Sequence, residues 1–224
     1  MHIGLIGGIG PAATDYYYQN IIRTFAAKRM LLDLTMVHTD ASTLLNNLAG
    51  NKVSDQVAIY ERLTKRLAQS GADCVVVTSI AGHFCIDAFK EISSLPVIDM
   101  IEEVNKAVSK LGLGRIGILG TKTVMETKFY GKITSAEIIP PKGTQLDAVH
   151  NAYATMAAAG TVNDNQRAVF ADACNSILNE YGAEAIMLGG TDLALVYNQE
   201  NTALPIVDCA EIHCDAIVEW VSKA

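Results

Sequence analysis

The stretch Gly71-Ala72-Asp73-Cys74-Val75-Val76-Val77-Thr78-Ser79 decides the fold, because it returns about 110 residues later as Gly182-Ala183-Glu184-Ala185-Ile186-Met187-Leu188-Gly189-Gly190. Each copy begins with a glycine suited to closing a helix. An apolar run without polar interruption follows, which is the signature of a strand buried on both faces of a parallel sheet. Working outward, Leu95-Pro96-Val97-Ile98-Asp99 returns as Leu204-Pro205-Ile206-Val207-Asp208. The opening Ile3-Gly4-Leu5-Ile6-Gly7 returns as Ile116-Gly117-Ile118-Leu119-Gly120. The order is kept throughout, so the chain reads as two copies of one α/β unit; a period this long marks a duplicated lobe, not a solenoid repeat.

Strand patterns lie near 2–6, 34–39, 73–78, 96–98, 115–119, 136–139, 184–188 and 205–207. Helical patterns lie near 12–27, 53–70, 84–92, 100–110, 124–131, 146–159, 164–180 and 210–223. Alternation of this kind predicts parallel sheets covered by helices. The expected architecture is α/β with two pseudo-symmetric lobes and a cleft between them. One lobe takes residues 1–98 together with 210–224, the other takes 99–209. Equivalent strand ends would meet at the cleft, which makes Ser79 and Gly190 partners.

Composition narrows the function. Half of the 224 residues are apolar and 18% are charged, which fits a well-buried globular chain. The net charge of −7 argues against nucleic acid or an anionic membrane surface as partner. Five cysteines form no C-x-x-C pair, so buried reduced thiols and a cytoplasmic setting are expected, with no metal framework. No run of 18 apolar residues suggests a membrane span, and the glycine-broken N-terminus does not read as a signal peptide.

In open parallel sheets, ligands bind beyond the carboxyl ends of the strands. The residues there are Gly7–Thr14, Thr39–Ser42, Thr78–His83, Gly120–Thr123 and Gly189–Asp192. Most are glycine, small or hydroxylated, a composition that suits a small anionic ligand held by backbone N–H groups and hydroxyls. Gly8-x-Gly10-x-x-Ala13 formally matches a dinucleotide fingerprint, yet no acidic residue stands about 20 positions on, so a carboxylate cradle is preferred over a nucleotide site.

The segment Gly7-Gly8-Ile9-Gly10-Pro11-Ala12-Ala13-Thr14 resembles the G-G-x-G-P-x-A-T opening of the aspartate/glutamate racemase family. Gly120-Thr121 with Phe129-Tyr130 resembles that family's second-lobe opening. Leu188-Gly189-Gly190-Thr191-Asp192 resembles its L-G-C-T-E segment, and Asp208 with Glu211-Ile212-His213 resembles the start of its last helix. The resemblance implies a cofactor-independent amino-acid racemase, a homodimer by analogy, that binds a small amino acid between the lobes. A thiol on each face of Cα takes or returns the α-proton.

This chain departs from the pattern where that chemistry is done. Counting back from His83 in C-N-T-A-H puts Ser79 at the first cysteine, with Ile80 and Ala81 at the Asn and Thr that would grip the α-carboxylate. The second cysteine falls on Gly190. The P-D-R-T segment after the second strand reads Thr39-Asp40-Ala41-Ser42, without its arginine, and a lysine common before Gly160 is Ala159. The candidate catalytic positions are therefore Ser79, Gly190, His83 and Asp192. Candidate substrate-binding positions are Gly8, Gly10, Thr14, Ile80, Ala81, Thr121 and Thr191. Three readings stay open: a racemase-type isomerase with altered or lost activity, a one-base lyase or isomerase of a small carboxylate, and a non-catalytic carboxylate binder. Cys85 is weighed as a thiol of lowered pKa in a first helical turn, against a buried core cysteine. Thr14, Thr121 and Thr191 are weighed as ligands against helix caps, and His213 against a packing role.

Overall fold

The computed structural model describes residues 1–198 and 202–223. The chain divides into two compact units: Met1–Met100 joined by the chain from His213 onward, and Ile101–Ile212.

The first unit opens with β1 (His2–Gly7), α1 (Pro11–Ala27), β2 (Asp33–His38), α2 (Ala41–Ala49), α3 (Val53–Gln69) and β3 (Cys74–Val77). A 3-10 turn (Ala81–Cys85), α4 (Ile86–Ile92) and β4 (Val97–Ile98) follow, and α5 (Met100–Leu111) leads out. The four strands form a parallel sheet in the order β2-β1-β3-β4. The apolar run of β3 is there because both faces of this central strand are covered: Cys74, Val75, Val76 and Val77 are fully buried. Val75 and Val77 join Ile6, Tyr60, Leu63, Leu67, Ala81, Cys85 and Phe89 in one core. Pro11 begins α1, where its missing N–H costs no helical bond.

The second unit repeats the strand order. It holds β5 (Arg115–Gly120), α6 (Lys122–Glu126), β6 (Glu137–Ile139), α7 (Thr144–Ala159), α8 (Asp164–Asn175) and β7 (Ala185–Gly189). A π-helical turn (Ser176–Glu180) extends α8, a 3-10 turn (Thr191–Leu195) follows β7, and β8 (Ile206–Asp208) precedes α9 (Cys209–Ser222). Its sheet is parallel in the order β6-β5-β7-β8. A capping box starts α8: the Asn163 side chain accepts from the Gln166 N–H at 2.9 Å while the Gln166 side chain accepts from the Asn163 N–H at 2.9 Å.

All eight expected strands are present, and three local expectations change. The segment 41–49 is the helix α2, where the sequence pattern predicts no helix and Thr39–Ser42 reads only as a strand end. Asp40 caps it by accepting from the Thr43 N–H at 2.7 Å and from the Thr43 hydroxyl at 2.8 Å. The helix expected near 124–131 ends instead at Glu126, because Lys128, Phe129 and Tyr130 take left-handed backbone angles (φ 52, 60 and 58) and Gly131 continues them at 66. Left-handed geometry costs about 1–2 kcal/mol per non-glycine residue. Full burial of the Phe129 side chain is the compensating gain, and the Gly131 N–H bond to the Thr127 carbonyl at 2.8 Å closes the turn. Finally, Cys85 ends a 3-10 turn ahead of α4 and does not stand inside the first turn of an α-helix.

Candidate active site

In the first unit the carboxyl ends of β1, β2 and β3 bring together Gly7–Gly10, His38 and Thr78–His83. Gly8 has φ +87, and a Cβ there would stand 2.4 Å from His38 ring atoms and from the Thr39 carbonyl oxygen, so only glycine fits beneath that imidazole. Thr14 ties the turn from inside α1. Its hydroxyl accepts from the Gly8 N–H at 2.9 Å, bonds the Gly10 carbonyl at 2.9 Å and lies 3.4 Å from the Thr78 hydroxyl. The Gly8 N–H is thus already satisfied within the turn, and the Thr14 hydroxyl is the brace that shapes it.

Ser79 stands beyond β3, 4% exposed, and its hydroxyl oxygen accepts from the Gly82 N–H at 3.3 Å. His83 does not reach that hydroxyl. Its Nδ1 bonds the Ser79 backbone carbonyl at 2.6 Å, and since a carbonyl only accepts, Nδ1 carries the proton. Nε2 therefore bears the lone pair, and it is buried without a hydrogen-bond partner among the described residues. Burial pushes the His83 imidazole below the usual histidine range, against the opposing pull of Asp99 and the Ser79 carbonyl. An ion pair stands near, with Lys90 Nζ 3.1 Å from Asp99 Oδ2, the carboxylate buried and the lysine half-buried. Ile80 and Ala81 are both buried, and Ala81 belongs to the apolar core.

His213 lies 6.1 Å from His83, ring centroid to centroid, with the rings nearly perpendicular. Its Nε2–H donates to the Ile98 carbonyl at 2.9 Å, and its Nδ1 accepts from the Tyr17 hydroxyl at 2.8 Å. Both ring nitrogens are occupied, and burial with the neighbouring His83 takes its pKa down to about 3. This is a packing histidine held neutral. Cys85 is likewise a core side chain: burial pushes its thiol up to about 12, opposite to the lowered value weighed from the sequence. Desolvation of a thiolate outweighs any attraction from a nearby helix N-terminus.

In the second unit, Thr121 caps α6, its hydroxyl accepting from the Val124 N–H at 3.4 Å. Thr191 and Asp192 open the 3-10 turn after β7, each 3% exposed. Gly190 precedes them with φ −146 and ψ 123, an extended conformation open to any residue. What excludes a side chain is Tyr153 of α7. A Cβ at 190 would stand 2.3 Å from Tyr153 Cε2, 2.5 Å from Cζ and 2.7 Å from the hydroxyl oxygen. That hydroxyl donates to Asp192 Oδ2 at 3.1 Å. Burial first, then the Asp192 charge, raises the Tyr153 pKa well above its ordinary value, so the phenol stays protonated.

Sequence reasoning missed Tyr153, His38 and Tyr60, whose hydroxyl donates to the Gly82 carbonyl at 3.1 Å and leaves no room for a Cβ at 82. The available signal was glycine at 82 and 190, where the family pattern has larger residues; it says that a bulky side chain intrudes without saying which. Among the described residues, no group of three or more His, Cys, Asp or Glu side chains is placed to hold a metal ion. No helix among them is long and apolar enough to cross a membrane.

A family model described as Asp/Glu/Hydantoin racemase matches residues 6–217. The fold is similar to that of a candidate Asp/Glu racemase from Yersinia pestis, with TM-score 0.84 at 24% identity, covering 99% of this chain and 100% of that one. It is similar to an aspartate racemase homologue from Pyrococcus horikoshii OT3, with TM-score 0.79 at 24% identity and 99% of both chains covered. A glutamate racemase from Francisella tularensis in complex with D-glutamate matches with TM-score 0.67 at 14% identity, over 99% of this chain and 81% of that one. At these identities the structural likeness speaks to the fold, and the family match speaks to membership.

Proposed function

This chain belongs to the Asp/Glu/Hydantoin racemase family, and from that premise we propose that it is a cofactor-independent isomerase of the amino-acid racemase type. Its substrate is a small amino acid or a related small carboxylate. The observation that carries the reading is positional: Ser79 follows β3 and Gly190 follows β7, the corresponding strands of two sheets with the same order, and each stands just ahead of a 3-10 turn. These are the positions to which the resemblance assigns the two thiols. A hydroxyl stands at one and no side chain at the other, so the activity differs from the two-thiol reaction. A hydroxyl needs an adjacent base to become reactive, and His83, held on the Ser79 carbonyl, is the imidazole proposed to supply one after a rotation. The strand ends around the Gly8 turn are proposed as the carboxylate-binding end of the first unit, with the His38 imidazole meeting the anion and Thr14 and Thr78 bracing the turn. By the same analogy the protein works as a homodimer in the cytoplasm.

A second reading is favoured by one specific observation. His83 bonds the carbonyl of Ser79 and not its hydroxyl, so that hydroxyl has no base in place, which suits a protein that binds a small carboxylate without turning it over. One experiment separates the two. Incubation with L- and D-aspartate and L- and D-glutamate in D₂O, followed by proton NMR and chiral chromatography, is expected to show enzyme-dependent loss of the Cα–H signal. Saturable binding of these acids with no exchange above buffer overturns the isomerase reading and leaves the binder.

A further inference from the structure

We propose that Tyr153 supplies the proton-donating group at the carboxyl end of β7, its phenolic hydroxyl standing in for the side chain that position 190 lacks. The proposal rests on the racemase-type reading above and names the group that completes it.

The geometry makes the glycine and the tyrosine one feature. The backbone of Gly190 is extended and would accept any residue. The space its Cβ would need is filled by the Tyr153 ring, and the hydroxyl oxygen lies 2.7 Å from that Cβ position. The phenol therefore places an O–H close to where a short side chain at 190 would carry its own acidic group. It is also held there: Tyr153 is 6% exposed, and its hydroxyl donates to Asp192, itself 3% exposed, at 3.1 Å. Phenylalanine would fill the same volume without the buried hydroxyl, which needs the partner that Asp192 provides.

The electrostatics set the resting state of the phenol. Burial, the Asp192 carboxylate and, more weakly, Tyr130 all disfavour the phenolate. Tyr130 sits in the left-handed turn of Lys128–Gly131, and strained backbone of this kind gathers at functional sites. The group thus rests protonated and donates to a stronger base. The α-carbanion or enolate of a small amino acid or carboxylate is such a base. In the step, a base on the opposite face has taken the α-proton and left its electron pair on Cα; the Tyr153 hydroxyl turns from Asp192 to that carbanion, the new Cα–H bond forms, the O–H bond breaks and its pair stays on the phenolate oxygen. Water then returns a proton to the phenolate, and the α-proton released to solvent by the opposite-face base neutralises the hydroxide, so the cycle consumes no net proton.

The test follows two outputs in D₂O with L- and D-aspartate and L- and D-glutamate: α-proton exchange, and appearance of the opposite enantiomer. Tyr153→Phe keeps the ring and loses the hydroxyl. The expected result is that exchange with retention persists for the enantiomer whose α-hydrogen faces away from Tyr153, while exchange of the other enantiomer and inversion in either direction fall about 10²- to 10⁴-fold, the usual worth of a positioned general acid. Inversion in Tyr153→Phe equal to that of the wild type overturns the proposal and leaves the family chemistry standing. A wild type that exchanges no α-proton from any of the four probes overturns the isomerase reading, and this proposal with it. A structural role alone would not split inversion from exchange. As a rescue, Tyr153→Ala combined with Gly190→Cys puts a thiol in the cleared space and is expected to regain inversion relative to Tyr153→Ala alone. If Tyr153→Phe melts far below the wild type, a fluorinated tyrosine at 153 decides: inversion that changes with the acidity of the phenol supports the proposal, and inversion unchanged by it overturns the proposal.

Discussion

Replacing Gly190 by alanine should destabilise the protein through one contact. The new Cβ would stand 2.3 Å from Tyr153 Cε2 and 2.5 Å from Cζ, where real side chains do not approach. The backbone itself poses no obstacle at φ −146, so the whole cost is borne by the ring or by the strand end. Two responses compete. If the ring swings away, the protein loses a hydrogen bond to a buried carboxylate, about 1.5–3 kcal/mol, and much of the burial of an aromatic side chain, about 1.5–3 kcal/mol more. If the ring stays and its surroundings shift, overpacking costs about 1–3 kcal/mol. The second is cheaper, so we expect Gly190→Ala to cost about 2 kcal/mol. For a chain of this size that lowers Tm by about 4–8 °C. The companion measurement is a double-mutant cycle by urea denaturation. Tyr153→Ala alone should cost about 3–5 kcal/mol, as for other large aromatic truncations. In that background the added Cβ meets no ring, so Gly190→Ala should be near neutral and the coupling should be about 2 kcal/mol. A Gly190→Ala variant within about 0.5 kcal/mol of the wild type, or one that costs the same in both backgrounds, refutes the reasoning.

Three further outcomes are expected. His83 and His213 are buried neutral with lowered pKa values, His213 near 3. The unfolded chain therefore binds protons below its ordinary histidine pKa that the folded chain does not. Stability should fall as pH drops below about 6.5, by up to about 1.4 kcal/mol per pH unit for each histidine; an unchanged urea midpoint between pH 7 and pH 5 would count against this. Thr14→Val removes the hydroxyl that accepts from the Gly8 N–H and should cost about 1–3 kcal/mol by leaving that donor unsatisfied, whereas Thr14→Ser should retain most of the stability in the same denaturation assay. All five cysteines are buried, and burial holds the Cys74 and Cys85 thiols near 11 and 12. The native protein at pH 8 should react with a thiol reagent only on the timescale of unfolding, and fast native labelling of Cys85 would contradict its place in the core.

The fold was legible because its cause is local. A parallel sheet covered on both faces demands apolar strands, and 74–77 and 185–189 can be nothing else once Gly71 and Gly182 end the preceding helices. Where the sequence misled, a non-local gain had overruled a local pattern. Phe129 continues a helical apolar spacing, yet its burial pulls the chain into a left-handed turn. The helix α2 carries a local signal in its cap, Asp40 three residues before Thr43, but that signal is the same short polar cluster that a ligand-binding strand end shows. Of the candidate site, the strand ends could be read from chain order alone. Tyr153 could not, since nothing in Ala152-Tyr153-Ala154 says that this ring reaches across 37 residues of sequence to cover Gly190.

The two departures from the family pattern look alike in the sequence and are physically different. At 79 a hydroxyl stands where a thiol is expected, and its surroundings are those of a small polar side chain: it accepts one N–H, from Gly82, in its own turn. Only the reacting atom differs, so a one-atom exchange is enough to put a thiol there. At 190 the volume itself has been reassigned. The tyrosine ring and the missing Cβ compete for one space, so a side chain enters at 190 only where the ring or its surroundings give way. Restoring a cysteine at 190 without removing Tyr153 would therefore test packing and not catalysis, and an inactive Ser79→Cys/Gly190→Cys variant would say nothing about the substrate. The informative background is the one in which Tyr153 is also truncated, because only there does the end of β7 have room for the chemistry that the family pattern assigns to it.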